Sequence, residues 1–137
     1  MSSDSEKKTI LLVEDNEDDI FLMRRIFQKE KIAALLQVVT DGKQAVQYLE
    51  GTEVYADRTR FPIPQMVFLD LKLPYLNGFD VLARVRETPE LSTLPVAILS
   101  SSLEDKDRDT AQSFGVPYFV KPPTPAMVYQ AIGSLLR

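Results

Sequence analysis

The sequence predicts an α/β domain, a five-stranded parallel sheet doubly wound with helices on both faces, and three observations carry that prediction. Four short apolar runs rich in β-branched residues or phenylalanine continue without alternating, as strands buried on both faces do. Segments with apolar residues at helical spacing lie between them. Capping residues, glycine and proline stand at the junctions, so that five strands alternate with five helices, the pattern of a parallel sheet with crossover helices.

Taken in order, the first strand is Thr9 to Val13, and Ile20, Met23, Ile26 and Phe27 make one face of the helix after it. Leu36 to Val39 is a weaker strand, followed by a helix marked by Ala45, Val46 and Leu49. Met66 to Leu69 is the third strand. Asn77 with Asp80 reads as a capping box opening a third helix, whose apolar face is Phe79, Val81, Leu82 and Val85. Val96 to Leu99 is the fourth strand; Ser102 with Asp105 reads as the capping box of a fourth helix, and Gly115 marks its end. Tyr118 to Val120 is the last strand. Thr124 then caps a helix with Pro125 at its first position and Met127, Val128, Ala131 and Leu135 on its apolar face. Residues 1–7 are expected to form a flexible tail, leaving 8–137 as one domain without internal repeats.

Composition agrees with a single domain, because 137 residues with 45% apolar content suffice for one core and are too few for two ordinary ones. The net charge of -4 disfavours a nucleic-acid backbone as partner. With no cysteine there is no disulfide framework or zinc site of thiolates to expect. No apolar signal segment or membrane-length run is present, so the expected location is the cytoplasm, away from the membrane. The chain has no histidine, so any step that needs an imidazole must come from a partner.

In a doubly wound sheet, ligands bind at the carboxyl ends of the strands. There the sequence has Glu14 and Asp15 after the first strand, Asp70 after the third, Ser100 after the fourth and Lys121 after the fifth. Singly, each has an ordinary structural explanation. Acids near a helix start are worth about 0.3 to 1 kcal/mol against the dipole, Asp15 or Asn16 can cap the helix, and a lysine before proline is commonly a solvated loop residue. Together they are harder to explain that way, because Asp15 and Asp70 end neighbouring strands and so face each other. A close pair of like charges repels by roughly 4 kcal/mol at an effective dielectric of 20, which asks for a cation. Mg2+ fits best, since it takes oxygen ligands, keeps several waters and uses one or two carboxylates plus phosphate oxygens. The D-x-D-x-D-G pattern of a calcium loop is missing. Mg2+ beside a carboxylate suggests phosphoryl transfer to Asp70, with Lys121 as point charge and Ser100 as hydroxyl donor to the phosphoryl group. Glu17, Asp18 and Asp19 are assigned only to the dipole of the first helix and to water.

LLVEDN with its acidic pair, TDGKQA, FLDLKLPYLNGFDVL, LPVAILSSS and YFVKP stand in that order and spacing. In them the chain from Thr9 to Arg137 resembles the CheY-like receiver domains of two-component response regulators. The resemblance implies a flavodoxin-like, three-layer αβα fold with strand order 2-1-3-4-5. It also implies that Asp70 is the phospho-acceptor, taking its phosphoryl group from a sensor histidine kinase in an Mg2+-dependent reaction. Asp15 would bind the metal directly, Glu14 mainly through water, and the backbone carbonyl of Lys72 would complete the protein ligands. Ser100 matches the switch hydroxyl, Tyr118 the switch aromatic and Lys121 the phosphoryl-binding lysine, whose bond to Pro122 is in this family usually cis. Such a protein is a phosphoprotein that assists its own phosphorylation and dephosphorylation, not an enzyme with a separate substrate. Its output is an altered surface of the fourth helix, fifth strand and fifth helix, open to another protein or to a second copy in a homodimer.

The segment Gly51 to Gln65 exceeds the usual length of about 2 to 6 residues between helix and strand. Part of it is expected to extend the second helix, with Phe61, Pro62 and Pro64 stiffening the approach to the third strand. A comparable insertion, with TPELSTLPVAILSSS, resembles the single-domain regulators of bacterial phytochromes and implies a light-regulated kinase as donor. Lys72 and Ser102 stand where the family tunes phosphoryl lifetime, and Pro123 leaves the start of the last helix open. Three other readings fit less well. A haloacid dehalogenase-type phosphatase has D-x-D where this chain has Asp70 and Lys72, and an FMN phosphate would be repelled by EDNEDD. A pseudo-receiver, an interaction module without the chemistry, usually lacks an acid of the pair, the acceptor or the lysine, and none is missing.

Overall fold

Five strands, β1 (Lys8–Val13), β2 (Ala34–Val39), β3 (Met66–Leu69), β4 (Val96–Ser100) and β5 (Tyr118–Val120), form one parallel sheet in the order β2-β1-β3-β4-β5. The computed structural model describes residues 8–133; the expected tail at 1–7 and Leu135 lie outside the described residues. The helices are α1 (Glu17–Lys29), α2 (Gly42–Glu50), α3 (Gly78–Glu87), α4 (Asp105–Ser113) and α5 (Pro125–Ile132). Successive residues of a strand point to opposite faces. Ile10 and Leu12 accordingly pack with Met23 and Phe27 of α1 and Val128 of α5, while Leu11 and Val13 pack with Leu49 of α2, Leu82 of α3 and Ala111 of α4. This is the three-layer architecture with strand order 2-1-3-4-5 that the resemblance implies.

Every residue of β3 and β4 is buried, because helices cover both faces of the central strands. β2 and β5, at the two edges, are mostly half-buried, unlike the fully buried strands their apolar runs suggest. An edge strand has a neighbour on one side only, and its outer side stays within reach of water. Ile10, Leu11, Leu12, Met23, Phe68, Leu82, Ile98 and Leu99 are all fully buried. At about 1.5 to 3 kcal/mol for each such side chain, the core can carry a repulsive acidic pair at its rim.

Side-chain oxygens cap four of the five helices, each accepting a backbone N–H three residues on: Asn16, Asp41, Asn77 and Thr124. Pro125 occupies the first position of α5, and the buried Pro123 precedes the cap without disturbing it. The Ser102–Asp105 capping box does not form. α4 is entered through Glu104, which makes no capping bond; buried Ser102 Oγ instead accepts the Glu104 N–H at 3.2 Å and donates to Asp107 Oδ2 at 2.6 Å. Gly115, at φ 72°, follows the end of α4 as expected.

The insertion does not lengthen α2. Gly51 takes a left-handed φ of 69° and ends the helix, its N–H bonding to Tyr48 O and that of Thr52 to Gln47 O. A 3-10 turn at Glu53–Ala56 follows. The chain then folds back on α2, with Tyr55 and Phe61 rings 5.0 and 6.0 Å from that of Tyr48, whose hydroxyl donates to Pro62 O at 2.8 Å. Arg58 donates to the carbonyls of Leu49 and Phe61 and lies over the Tyr48 ring. The insertion is thus a stapled loop leading into the amino end of β3, the end of the sheet opposite the acidic residues.

Candidate functional site: an acidic crevice at the carboxyl end of the sheet

The parallel ladder continues one residue past the strands. Glu14 N–H donates to Val39 O at 3.0 Å, Asp70 N–H to Val13 O at 3.1 Å and Lys121 N–H to Ser100 O at 2.9 Å. The first residue beyond each of three strands is thereby held at sheet spacing, which brings Glu14, Asp70 and Lys121 to one edge. Behind Asp70 the loop is pressed against α3: Gly78 N–H donates to Leu71 O at 2.9 Å, and a Cβ on Gly78 would overlap the Asp70 carbonyl oxygen. Only glycine permits that approach.

Carboxylate oxygens of Glu14, Asp15 and Asp70, one from each, lie within 4.8 Å of one another. Lys121 Nζ reaches Glu14 Oε1 at 2.8 Å, Asp19 Oδ2 at 2.9 Å and Asp70 Oδ2 at 3.0 Å. Asp70 Oδ1 accepts the Leu71 N–H at 2.7 Å, and Glu14 Oε2 accepts the Asn16 N–H at 3.1 Å. The peptide bond between Lys121 and Pro122 is cis. These groups open on a crevice of about 540 Å³ lined also by Asn16, Lys72, Ser101 and Pro122. A groove of about 390 Å³ between α1 and β2 also opens at the surface, but its charged lining is Arg24 and Lys31, without a carboxylate. Chemistry, not size, distinguishes the two.

Glu14, Asp19 and Asp70 share the Lys121 ammonium and Asp15 stands beside them, so acids outnumber lysines at the crevice even with Lys72 on its wall. Burial pushes the Glu14 carboxyl up to about 7, with the charge of Asp70 adding to the effect and Lys121 and the Asn16 N–H opposing it. Burial works against the charged form of Lys121, but its bonds to Glu14, Asp19 and Asp70 outweigh that and hold it above the ordinary lysine value. Glu14 Oε1 is buried, and the group that meets it is the Lys121 ammonium at 2.8 Å, which it shares with Asp19 and Asp70. A buried carboxylate oxygen that shares its cation, with two more carboxylates within 4.8 Å, makes an oxygen ligand set suited to a hard divalent cation.

The sequence-derived residues therefore divide. Glu14, Asp15, Asp70 and Lys121 come together, and Lys72 lines the crevice beside them. Ser100 ends β4 but its side chain is fully buried, its Oγ accepting the Ser102 N–H at 3.1 Å; Ser101 forms the crevice wall at that strand end. Tyr118 is half-buried, donating its hydroxyl to Ser102 O at 2.9 Å under the Arg108 guanidinium, 5.2 Å from the ring. Ser100 and Tyr118 thus meet at the backbone of Ser102. Asp19 does not serve the helix dipole alone, as the sequence suggests: it turns into the crevice against Lys121. No signal along the chain separates it from Glu17 and Asp18, which stand in the same first turn of α1.

Residues 10–132 match the response regulator receiver domain family. The chain is 37% identical over 114 residues to the probable methanogenesis regulatory protein FilR2 of Methanothrix harundinacea, covering 82% of this chain and 71% of that one. It is 34% identical over 100 residues to the response regulator Rcp1 of Synechocystis, covering 73% and 66%. The Mn2+-bound form of Rcp1 matches with a TM-score of 0.82 at 30% identity over 95% of each chain. The bacteriophytochrome response regulator AtBRR matches at 0.83 and 38% identity, over 93% of this chain and 91% of that one. By this match along most of its length, the chain belongs to the receiver domain family of the response regulators.

Proposed function

We propose that residues 8–137 act as a cytoplasmic receiver domain that accepts a phosphoryl group on Asp70 from the phosphohistidine of a sensor histidine kinase. The observation that carries this reading is the Lys121 ammonium 3.0 Å from Asp70 Oδ2, beside the cluster of Glu14, Asp15 and Asp70. With Oδ1 held by the Leu71 N–H, the carboxylate is oriented and Oδ2 points to the lysine side of the crevice. Oδ2 attacks phosphorus in line; the P–O bond forms as the partner's P–N bond breaks, and the electron pair stays on the imidazole nitrogen. Asp15, Asp70 and the Lys72 carbonyl would hold Mg2+, with Glu14 acting mainly through water, and the ion would supply charge to offset that of the phosphoryl oxygens. Lys121 turns its donors from carboxylates to those oxygens, contributing a point charge.

Phosphate adds close to two negative charges at Asp70. Ser100 Oγ leaves the Ser102 N–H to donate to the phosphoryl group, and Tyr118, bonded to the same residue, follows. The population shifts toward an altered surface of α4, β5 and α5, which docks a downstream protein or a second copy of the chain. The similarity to the phosphorylated cyanobacterial phytochrome response regulator RcpA and to the bacteriophytochrome response regulator AtBRR favours a phytochrome-type, light-regulated kinase as donor. The test is incubation with acetyl phosphate and Mg2+, read by mass spectrometry as the gain of one phosphoryl group. An unlabelled wild type, or an Asp70→Asn variant labelled as fast as wild type, sinks the proposal.

A further inference from the structure

The chemistry proposed for Asp70 makes no use of Asp19, the third carboxylate on Lys121. Asp19 is the third residue of α1. Its neighbours Glu17 and Asp18 are exposed, as acids serving a helix dipole are, whereas its own side chain keeps only 17% of its exposure, 2.9 Å from Lys121 Nζ. Its backbone is pinned as well, the N–H donating to Asn16 Oδ1 at 3.1 Å, so the helix cap and this carboxylate belong to one rigid turn. An ammonium has three donors. Lys121 meets three carboxylates, and two of them, Glu14 and Asp70, belong to the cluster suited to a divalent cation; Asp19 does not.

That difference matters once the site is loaded. Oδ2 of Asp70 would become the bridging oxygen of an acyl phosphate and lose its charge, and a cation held by the cluster would compete for Glu14, so both would loosen their hold on the ammonium. Asp19 keeps its charge and place. We infer that Asp19 is a positioning residue for phosphoryl transfer: it tethers the Lys121 ammonium at the crevice before and after the reaction, freeing the other two donors for the phosphoryl oxygens. The inference rests on the proposed acceptor role of Asp70.

The sign of the effect separates this role from the plainer ones. Were Asp19 only a dipole acid or part of the negative field, its neutralisation would leave labelling by an anionic donor unchanged or speed it, because the crevice already carries excess negative charge. As a tether, its neutralisation slows labelling despite the weaker repulsion.

The experiment follows labelling by acetyl phosphate over a range of Mg2+ in wild type, Asp19→Asn, Asp19→Glu, Lys121→Ala and the double variant Asp19→Asn with Lys121→Ala. Asp19→Asn is expected to label about tenfold more slowly, the loss of one charge-assisted hydrogen bond in the transition state. The Mg2+ concentration for half-maximal rate stays within about twofold of wild type, because the metal cluster is intact. Asp19→Glu, with its charge retained, recovers part of the rate. In the Lys121→Ala background, Asp19→Asn changes the rate by less than about twofold, since it acts only through the lysine. A wild-type or faster rate in Asp19→Asn, or an undiminished effect without Lys121, overturns the inference and leaves the function of Asp70 standing. A wild type that takes no phosphoryl group overturns both.

Discussion

Replacing Gly78 by alanine probes how the fold seats the acceptor. Gly78 opens α3 with its N–H donating to Leu71 O at 2.9 Å, so the helix start and the loop after Asp70 are in direct backbone contact. A Cβ there would lie 2.8 Å from Leu71 Cα and overlap the Asp70 carbonyl oxygen. Carbon atoms rest at about 3.5 to 4.0 Å, so the backbone must retreat by about 1 Å. Overpacking of this kind costs about 1 to 3 kcal/mol, against which the better helix propensity of alanine returns at most about 1 kcal/mol. The expected net loss is about 1 to 2 kcal/mol, seen as a lower urea midpoint at unchanged slope. Because the retreating atoms are the backbone of Asp70 and Leu71, the carboxylate moves with them, and a displacement of about 1 Å at a reacting group costs about 100-fold in rate. Labelling by acetyl phosphate should therefore fall far more than the folded fraction does. A Gly78→Ala protein within about 0.5 kcal/mol of wild type that labels at the wild-type rate would refute the argument, since the loop would have absorbed the methyl group at no cost.

Two further outcomes are expected. Tyr48→Phe removes the hydroxyl that donates to Pro62 O at 2.8 Å and should cost about 1 kcal/mol near neutral pH. Burial pushes the Tyr48 phenol from 10.0 up to about 12, partly opposed by Arg58. A folded-state value raised in this way stabilises fully below the unfolded value and is lost as pH rises toward the folded one. The advantage of wild type over Tyr48→Phe should accordingly shrink between pH 10 and about 12 in urea midpoints, and a growing advantage would refute it. Mg2+ at ten times its dissociation constant should stabilise the native state by about 1.4 kcal/mol, raising the melting temperature reversibly with chelator. Asp15→Asn should lose most of that rise; a rise equal in both proteins would place the cation elsewhere.

Whatever depends on residues within about one helical turn was legible in the sequence. Continuous apolar runs in β1, β3 and β4 and helical spacing in α1 and α3 were enough, because burial on one face or two imposes those periods. Caps at Asn77 and Thr124 were legible for the same reason, since a cap bonds an N–H three residues away. So was the convergence of Glu14, Asp15, Asp70 and Lys121, once parallel strands put their carboxyl ends on one edge. Contacts between distant segments were not. Ser102 looks like a cap by spacing, but the Tyr118 hydroxyl of β5 donates to its carbonyl and its own hydroxyl turns to Asp107. The insertion stops α2 instead of prolonging it because Tyr55, Phe61 and Arg58 find Tyr48 and Leu49 on that helix. Asp19 reads like its exposed neighbours Glu17 and Asp18 along the chain, and is distinguished only by Lys121 from the far end of the sequence. By itself the sequence determined the elements and the edge of the sheet where charge collects; only the tertiary structure decided which of those charges share an ammonium, because an ion pair depends on distance in space and carries no period along the chain.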